Sequence, residues 1–120
     1  MGNFKELIVY QKAFHLAMEI FHLTKRFPQD EKFGLTSQIR RSSRSVCANI
    51  AEGYRKRIYK AHFISKLTDA DMENTETIVW IDFASSCGYI DDHLKFKLNQ
   101  QTEEIGKLLY YMIHKLEKFS

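Results

Sequence analysis

Apolar residues recur along this sequence in alternating steps of three and four, which is the spacing of one face of an α-helix. Four segments follow this pattern, at about 6–26, 31–55, 60–87 and 91–119. The pattern predicts one apolar stripe on each helix, and the four stripes are expected to meet in a shared core. The stripe positions are Val9, Ala13, Leu16, Ile20, Leu23 and Phe27; Leu35, Ile39, Val46 and Ile50; Phe63, Leu67, Ala70, Ile78 and Ile81; and Leu94, Leu98, Ile105, Leu108, Met112 and Phe119.

Residues with known preferences for helix ends mark several of the boundaries. Asn3, with Glu6 three positions later, is typical of a capping box, in which each side chain accepts a hydrogen bond from a free backbone amide. The first helix ends before the one proline of the chain, which has no amide hydrogen to donate. Gly88 suits the position after the third helix, and Asp91 or Asp92 is expected to cap the fourth.

The connections between the four segments are short. Consecutive helices joined in this way lie antiparallel as neighbours. The expected fold is therefore all-α, as an antiparallel up-down-up-down four-helix bundle. We expect a single domain over residues 1–120.

Four polar residues interrupt the apolar stripes. Ser42 and Asn49 lie on the stripe of the second helix, and Asp71 and Asn74 are expected to face the core from the third. Antiparallel pairing about the second connection places Ser42 opposite Asp71. A buried polar layer of this kind must satisfy its hydrogen bonds and can fix the register of the helices. A ligand site is the alternative interpretation.

The first and third helices carry more apolar surface than a bundle core requires, because a core stripe covers only about a third of a helix. A contiguous apolar surface usually marks a contact site, so the surplus predicts a homo-oligomer whose subunits cover it. A scatter of singly exposed residues is the alternative. The surplus residues are Tyr10, Phe14, Ala17 and Phe21 in the first helix and Val79, Trp80 and Phe83 in the third.

The composition is that of a small globular protein. The chain has 120 residues, and 44% of them are hydrophobic, which is too many for a disordered segment. Five glycines and one proline are few for a loop-rich all-β domain. No segment reaches the roughly 18 apolar residues of a membrane span. The beginning of the chain lacks the apolar region of a signal peptide, so we expect no membrane partner. Two cysteines forty residues apart make neither a disulfide framework nor a zinc site, so we expect a cytoplasmic protein.

The net charge of +3 hides an uneven distribution along the chain. Residues 38–60 hold seven basic side chains against one acidic, whereas residues 61–90 hold one basic side chain against five acidic. Three of the basic residues lie on the outer face of the second helix, and four lie at the connection to the third. Such a cluster predicts salt-dependent binding to the phosphates of RNA or DNA. The seven residues are Arg40, Arg41, Arg44, Arg55, Lys56, Arg57 and Lys60.

Acidic residues on the third helix suggest a second role for these arginines, in ion pairs. Asp69, Glu73 and Glu76 share one face of that helix and can pair with arginines within a subunit or across an interface. The protein would then be a structural scaffold, or would bind another protein. The segment that holds the cations at 55–60 contains no acidic residue of its own.

No constellation typical of an enzyme is present. Glu19 and His22 have the Glu-x-x-His spacing of di-iron bundles, but such a site needs a second motif and two further carboxylates. Cys47 and Cys87 have no neighbouring histidine, and we expect each to be a small buried thiol. We therefore expect no enzymatic activity, no metal and no cofactor.

The second helix contains a distinctive run, QIRRSSRSV at 38–46, followed by NIAEG at 49–53. It resembles the QIRRAS-S-x-x-NIAEG signature of the 23S rRNA intervening-sequence proteins, also called the four-helix-bundle protein family. The segments LIVYQKA at 7–13 and FPQDEKFGL at 27–35 resemble that family's flanking motifs. The resemblance covers nearly the whole chain, although Asp71-Met72 stands where the family often has Gly-Ser.

The resemblance implies a bundle that assembles into a ring, with a homopentamer as the expected form. The accessory variability determinant proteins of diversity-generating retroelements are also similar, and they form basic pentameric barrels that bind nucleic acid and a reverse transcriptase. Neither group is known as catalytic. The resemblance therefore favours a bacterial, oligomeric protein with RNA or DNA as its expected partner.

Overall fold

The computed structural model describes residues 2–119, and most of them belong to four long helices. Residues 2–119 contain no strand, and their extents of 44 × 25 × 20 Å suit long helices packed side by side. No helix described here combines the length and apolar character needed to cross a membrane. The elements are α1 (Ile8–Thr24), α2 (Leu35–Arg55), α3 (Lys60–Ser86) and α4 (Asp92–His114), with short 3₁₀ helices at Phe4–Glu6, Gln29–Glu31 and Leu116–Lys118.

Contacts between the helices show that neighbours run antiparallel. Glu52, near the end of α2, pairs with Lys66 near the start of α3, while Ser42, farther back along α2, contacts Thr77 farther along α3. The predicted up-down-up-down bundle is therefore confirmed. Four more contacts show the same antiparallel pairing for the other helices: Asn74–Thr102 and Asp82–Lys95 between α3 and α4, and Lys12–Glu104 and Glu19–Lys97 between α1 and α4.

The first two long helices begin later than the periodicity predicts. Asn3 and Glu6 form the expected capping box, but the box caps the start of the short 3₁₀ helix Phe4–Glu6. The long helix α1 begins after this 3₁₀ helix. The second helix begins at Leu35 and not near residue 31, because a 3₁₀ turn comes first. One carboxylate oxygen of Glu31 accepts a hydrogen bond from the Leu35 amide at 3.0 Å and so caps α2.

The turn between α3 and α4 forms as predicted. Gly88 has a φ of 76°, the left-handed conformation that glycine adopts at little cost. Asp91 then caps α4 by accepting a hydrogen bond from the Leu94 amide at 2.8 Å. The fourth helix ends at His114, earlier than predicted, and a 3₁₀ turn follows it.

The core lies where the four stripes meet and contains nearly all of the predicted apolar positions. Ile78, Leu94, Leu108 and Phe119 are only half-buried. Thr102 and Leu109, by contrast, are fully buried on the inner face of α4. Ala17, predicted to lie outside the core, is also buried, so α1 has a wider inner face than one stripe.

The two cysteines have different environments. Cys47 is buried on α2, as predicted, and its thiol points toward the Ser43 carbonyl. Cys87 is exposed, so the prediction of a buried thiol is wrong there. It follows the last residue of α3, at the C-cap position of that helix.

Candidate nucleic-acid interface

The outer face of α2 forms an open groove of about 570 Å³, which we call the helix-2 groove. Among the residues that the structure describes, four cations line it, Lys32, Arg40, Arg41 and Arg44, and no carboxylate belongs to its lining. The helical spacing of the three arginines places them together, as the sequence predicted.

Arg41 is held by two carboxylates of α3. Its guanidinium donates to Glu73 at 3.1 Å and also to Glu76. These hydrogen bonds raise the pKa of Arg41. Burial alone would raise the pKa of Glu76, but the hydrogen bonds that Glu76 accepts from Arg41 and Trp80 outweigh burial, so its pKa is lowered. All three side chains reach solvent, so the pairs contribute at most about 1 kcal/mol to stability. Arg41 therefore joins two helices within the subunit and is largely neutralised.

Among residues 2–119, no acid forms an ion pair with Arg40 or Arg44. Arg40 donates to the Thr24 hydroxyl at 2.8 Å, and its guanidinium lies 4.8 Å from the ring centre of Phe21. Arg44 lies over the same ring at 5.8 Å. Phe21 is thus half-buried beneath cations of its own subunit. In the described chain, neither guanidinium in the groove is therefore offset by a carboxylate.

The connection between α2 and α3 carries the other four predicted cations. Arg55, Lys56 and Lys60 are exposed, and none of them pairs with a carboxylate within residues 2–119. Arg57 donates to the Tyr54 carbonyl at 2.8 Å and lies 4.1 Å from the Tyr54 ring centre. Both of these contacts are with neutral groups, so neither offsets the charge of Arg57.

The antiparallel arrangement adds further cations at this end of the bundle. α4 ends where α3 begins, so Lys115 and Lys118 lie at the same end as the connection. Glu52 is engaged by Lys66 at 2.9 Å, which leaves Glu6 and Glu117 as the nearby acids in the described chain without an ion pair. We call this surface the basic end, and it comprises Arg55, Lys56, Arg57, Lys60, Lys115 and Lys118.

The residues predicted as an oligomer interface divide into two groups. Phe14, Val79 and Phe83 are exposed on α1 and α3. Tyr10 and Trp80 are half-buried and pack against the core of their own subunit. The Trp80 indole also donates to Glu76 at 3.1 Å, which fixes the ring on the α3 surface.

The buried polar layer differs from the predicted one. Ser42 and Asn74 are buried, and Asn74 donates to the Thr102 carbonyl at 2.9 Å. Asp71 is exposed, so its predicted place in the layer is wrong. Asn49 is only half-buried and donates to a carbonyl of its own helix, so it is not part of the layer either.

The actual partner of Ser42 is Thr77, which lies six residues beyond Asp71, so α3 sits more than one and a half helical turns from the position that the connection suggested. Gly53 explains this register. A Cβ there would lie 2.9 Å from the Cβ of Lys66 and 3.6 Å from the Phe63 ring, so only glycine permits this close approach of α2 and α3. The sequence contained this signal in the glycine of the NIAEG run.

In the Glu-x-x-His motif of α1, the carboxylate of Glu19 takes part in ion pairing. Glu19 accepts from Lys97 at 2.7 Å and from Gln101 at 2.9 Å. Over residues 2–119, no three histidine, cysteine, aspartate or glutamate side chains come together as metal ligands.

The family model of the 23S rRNA-intervening sequence protein matches residues 5–111. The chain belongs to this family. The match includes all of α1 to α3 and most of α4, and therefore both the helix-2 groove and the α2–α3 connection. Lys115 and Lys118 of the basic end lie beyond it.

A solved relative supports the family assignment. A crystal structure from Bacteroides thetaiotaomicron, described as a protein with unknown function from the S23 ribosomal protein family, matches with a TM-score of 0.81. The two chains are 32% identical, and the match covers 90% of this chain and 96% of that one. A search among curated proteins gave no match.

Proposed function

We propose that this member of the 23S rRNA-intervening sequence family is a non-enzymatic protein that binds nucleic acid as a homo-oligomeric ring of five subunits. Phosphates bind the cations of the basic end, and the helix-2 groove provides a second contact. The name of the family refers to an insertion in ribosomal RNA, so RNA is the first ligand to test, with DNA beside it.

One observation carries the nucleic-acid proposal: within residues 2–119, no carboxylate pairs with Arg55, Lys56 or Lys60. These three cations lie within six residues of one another, and within the described residues none of them forms an ion pair that would offset their mutual repulsion. A polyanion relieves the repulsion and releases its own counterions on binding. By contrast, Arg41 already has two carboxylate partners and contributes less.

The test compares charge reversal at the two ends of the bundle. The variant Arg55→Glu/Lys56→Glu/Lys60→Glu is titrated against a labelled RNA at several salt concentrations. We expect much weaker binding, and a decrease of about 2 to 3 in the slope of log affinity against log salt, since three phosphate contacts are lost.

The control is Lys25→Glu/Arg26→Glu/Lys95→Glu, which changes the net charge by the same amount at the opposite end. We expect it to retain most of the affinity and nearly the full salt slope. Binding by the wild type that does not change between about 50 and 300 mM salt would rule out the phosphate mechanism.

The ring is supported by exposed apolar side chains on two helices, Phe14 on α1 and Val79 and Phe83 on α3. Faces on different helices can meet in a head-to-tail interface, and such interfaces form a ring when the rotation between subunits closes. We expect light scattering after size exclusion to give five subunits for the wild type and fewer for Val79→Glu/Phe83→Glu. Phe33→Glu changes an exposed ring near the start of α2 and serves as the control.

A second candidate function is a scaffold in which the arginines join helices and subunits. The contacts of Arg41 with Glu73 and Glu76 favour it, because they connect α2 to α3. A wild type that binds no nucleic acid, together with dissociation of the ring by Arg41→Glu, would support the scaffold over the nucleic-acid proposal.

A further inference from the structure

We infer that the basic end binds unpaired nucleotides, with their bases stacked on exposed aromatic rings while the cations contact the phosphates. This inference rests on the nucleic-acid binding proposed above. It adds the form of nucleic acid that is bound, which is a single strand or an open loop and not a duplex.

The first observation is the tip of the α2–α3 connection. Ile58 is 76% exposed and Tyr59 is 60% exposed, and both lie between Lys56 and Lys60 in the chain. The Tyr59 ring meets the His62 ring edge to face, at 6.2 Å between centres and 89° between planes. The Tyr59 ring is therefore oriented by His62 and flanked by cations. Because the ring is mostly exposed, it contributes little to the core and is available for a ligand.

The second observation lies on α4. Tyr110 is 65% exposed, and its ring stacks on His114 with centres 4.0 Å apart and planes 29° apart. One turn before Tyr110 lies Gly106, where a Cβ would be 3.6 Å from the amide nitrogen of Asn74. Tyr110 therefore lies on the side of α4 that faces α3.

The helix register brings the two aromatic pairs to the same end of the bundle. α3 and α4 pair at Asn74–Thr102 and Asp82–Lys95, and the same register places His114 beside residues 62 and 63. Both aromatic pairs therefore lie at the start of α3, where Lys60 supplies a charge without an acidic partner in the described chain.

Cations and exposed rings together fit unpaired nucleotides better than a duplex. Bases in a duplex are stacked on one another and offer a protein mainly their edges and phosphates. Unpaired bases expose their π faces, which stack on aromatic side chains while basic residues follow the backbone. Cations alone would bind both forms, so the rings are the part of the surface that distinguishes them.

The experiment measures binding of an unstructured RNA of about 20 nucleotides and of the same strand annealed to its complement, by fluorescence anisotropy. The variants are Tyr59→Ala and Tyr110→Ala, with Tyr59→Phe and Tyr110→Phe as conservative partners. Phe96→Ala removes an equally exposed ring at the opposite end of α4 and is the matched control. Circular dichroism establishes that each variant is folded.

We expect the wild type to bind the single strand more tightly than the duplex. Each alanine variant should lose about tenfold affinity for the single strand at an unchanged salt slope, since a stacking contact and not a phosphate contact is removed. The phenylalanine variants and Phe96→Ala should retain the wild-type affinity.

Two other outcomes separate this inference from the function on which it rests. Equal binding of both forms, lost on charge reversal but unaffected by the alanine variants, would overturn the inference and leave the proposed function intact. Absence of salt-dependent binding to either form would overturn both.

Discussion

The hydroxyl groups of Ser42 and Thr77 lie 2.8 Å apart in the buried interface between α2 and α3. Either hydroxyl can be the donor of this bond, since the Glu73 carbonyl lies 2.9 Å from the Thr77 hydroxyl and the Ile39 carbonyl lies 3.4 Å from the Ser42 hydroxyl. A shift of α3 by one turn would separate the two hydroxyls and leave them buried without each other. The bond therefore selects one axial position of α3 against α2.

We predict that Ser42→Ala and Thr77→Val each lower the free energy of unfolding by about 1 kcal/mol. The double variant should lose less stability than the sum of the two single losses, because both hydroxyls are removed and no buried hydroxyl remains without its partner. Urea unfolding followed by circular dichroism measures all three variants at one protein concentration. Ser37→Ala, at an exposed position of α2, should change stability by less than about 0.5 kcal/mol. Additive losses would show that the two hydroxyls do not act as a pair.

The case of Ser42 shows what the sequence pattern can and cannot predict. Periodicity determines how a helix is rotated about its axis, so it correctly placed Ser42 and Asn74 inside. It does not determine how far a helix slides along its neighbour, so the expected partner Asp71 was wrong and Thr77 was missed. The axial position depends on close packing at Gly53, which is a contact between helices.

The candidate site was predictable to a similar extent. Counting charges located Arg55, Lys56 and Lys60, because they are neighbours in sequence. The pairing of Arg41 with acids of α3 was open, since it depends on how two helices face each other. Tyr110 was missed because it is about fifty residues from these cations in sequence and reaches their end of the bundle only through the fold.

Glu31 connects the start of α2 to the turn before α4. Its two oxygens accept hydrogen bonds from the Leu35 amide at 3.0 Å and the Tyr89 hydroxyl at 2.9 Å. These bonds lower the pKa of Glu31 below its ordinary value of 4.5, and the bond to Glu31 raises the pKa of Tyr89 to about 12.

We predict that Glu31→Gln lowers the melting temperature in a way that depends on pH. A carboxyl whose pKa is lowered by folding stabilises the protein above its unfolded-state pKa, and this stabilisation is lost as the pH falls through the folded-state value. The difference from wild type should be full at pH 6 to 7 and should shrink toward pH 3. Tyr89→Phe keeps the cap on α2 and should show a smaller difference. A difference that does not change with pH would contradict the role of the charge.

The two cysteines should react at different rates. Burial raises the pKa of Cys47 to about 11, so at pH 8 its thiol is both protonated and enclosed, whereas Cys87 is exposed. We expect Ellman's reagent to modify one thiol rapidly in the folded protein and two in urea. Cys87→Ser should abolish the rapid reaction, and Cys47→Ser should preserve it. Two rapid thiols in the wild type would show that α1 and α2 open readily.

Substitution by alanine should have opposite effects on stability at two helical glycines. At Gly53 the new methyl group would lie 2.9 Å from the Cβ of Lys66, and a Cβ cannot move without its backbone. Forcing two packed helices apart costs about 1 to 3 kcal/mol, which exceeds the gain in helix propensity of at most about 1 kcal/mol. At Gly106 the nearest atom is 3.6 Å away, an ordinary contact, so only the gain remains. We therefore predict that Gly53→Ala destabilises the protein and Gly106→Ala stabilises it, as measured by urea unfolding. Stabilisation by both would show that Gly53 does not set the distance between α2 and α3.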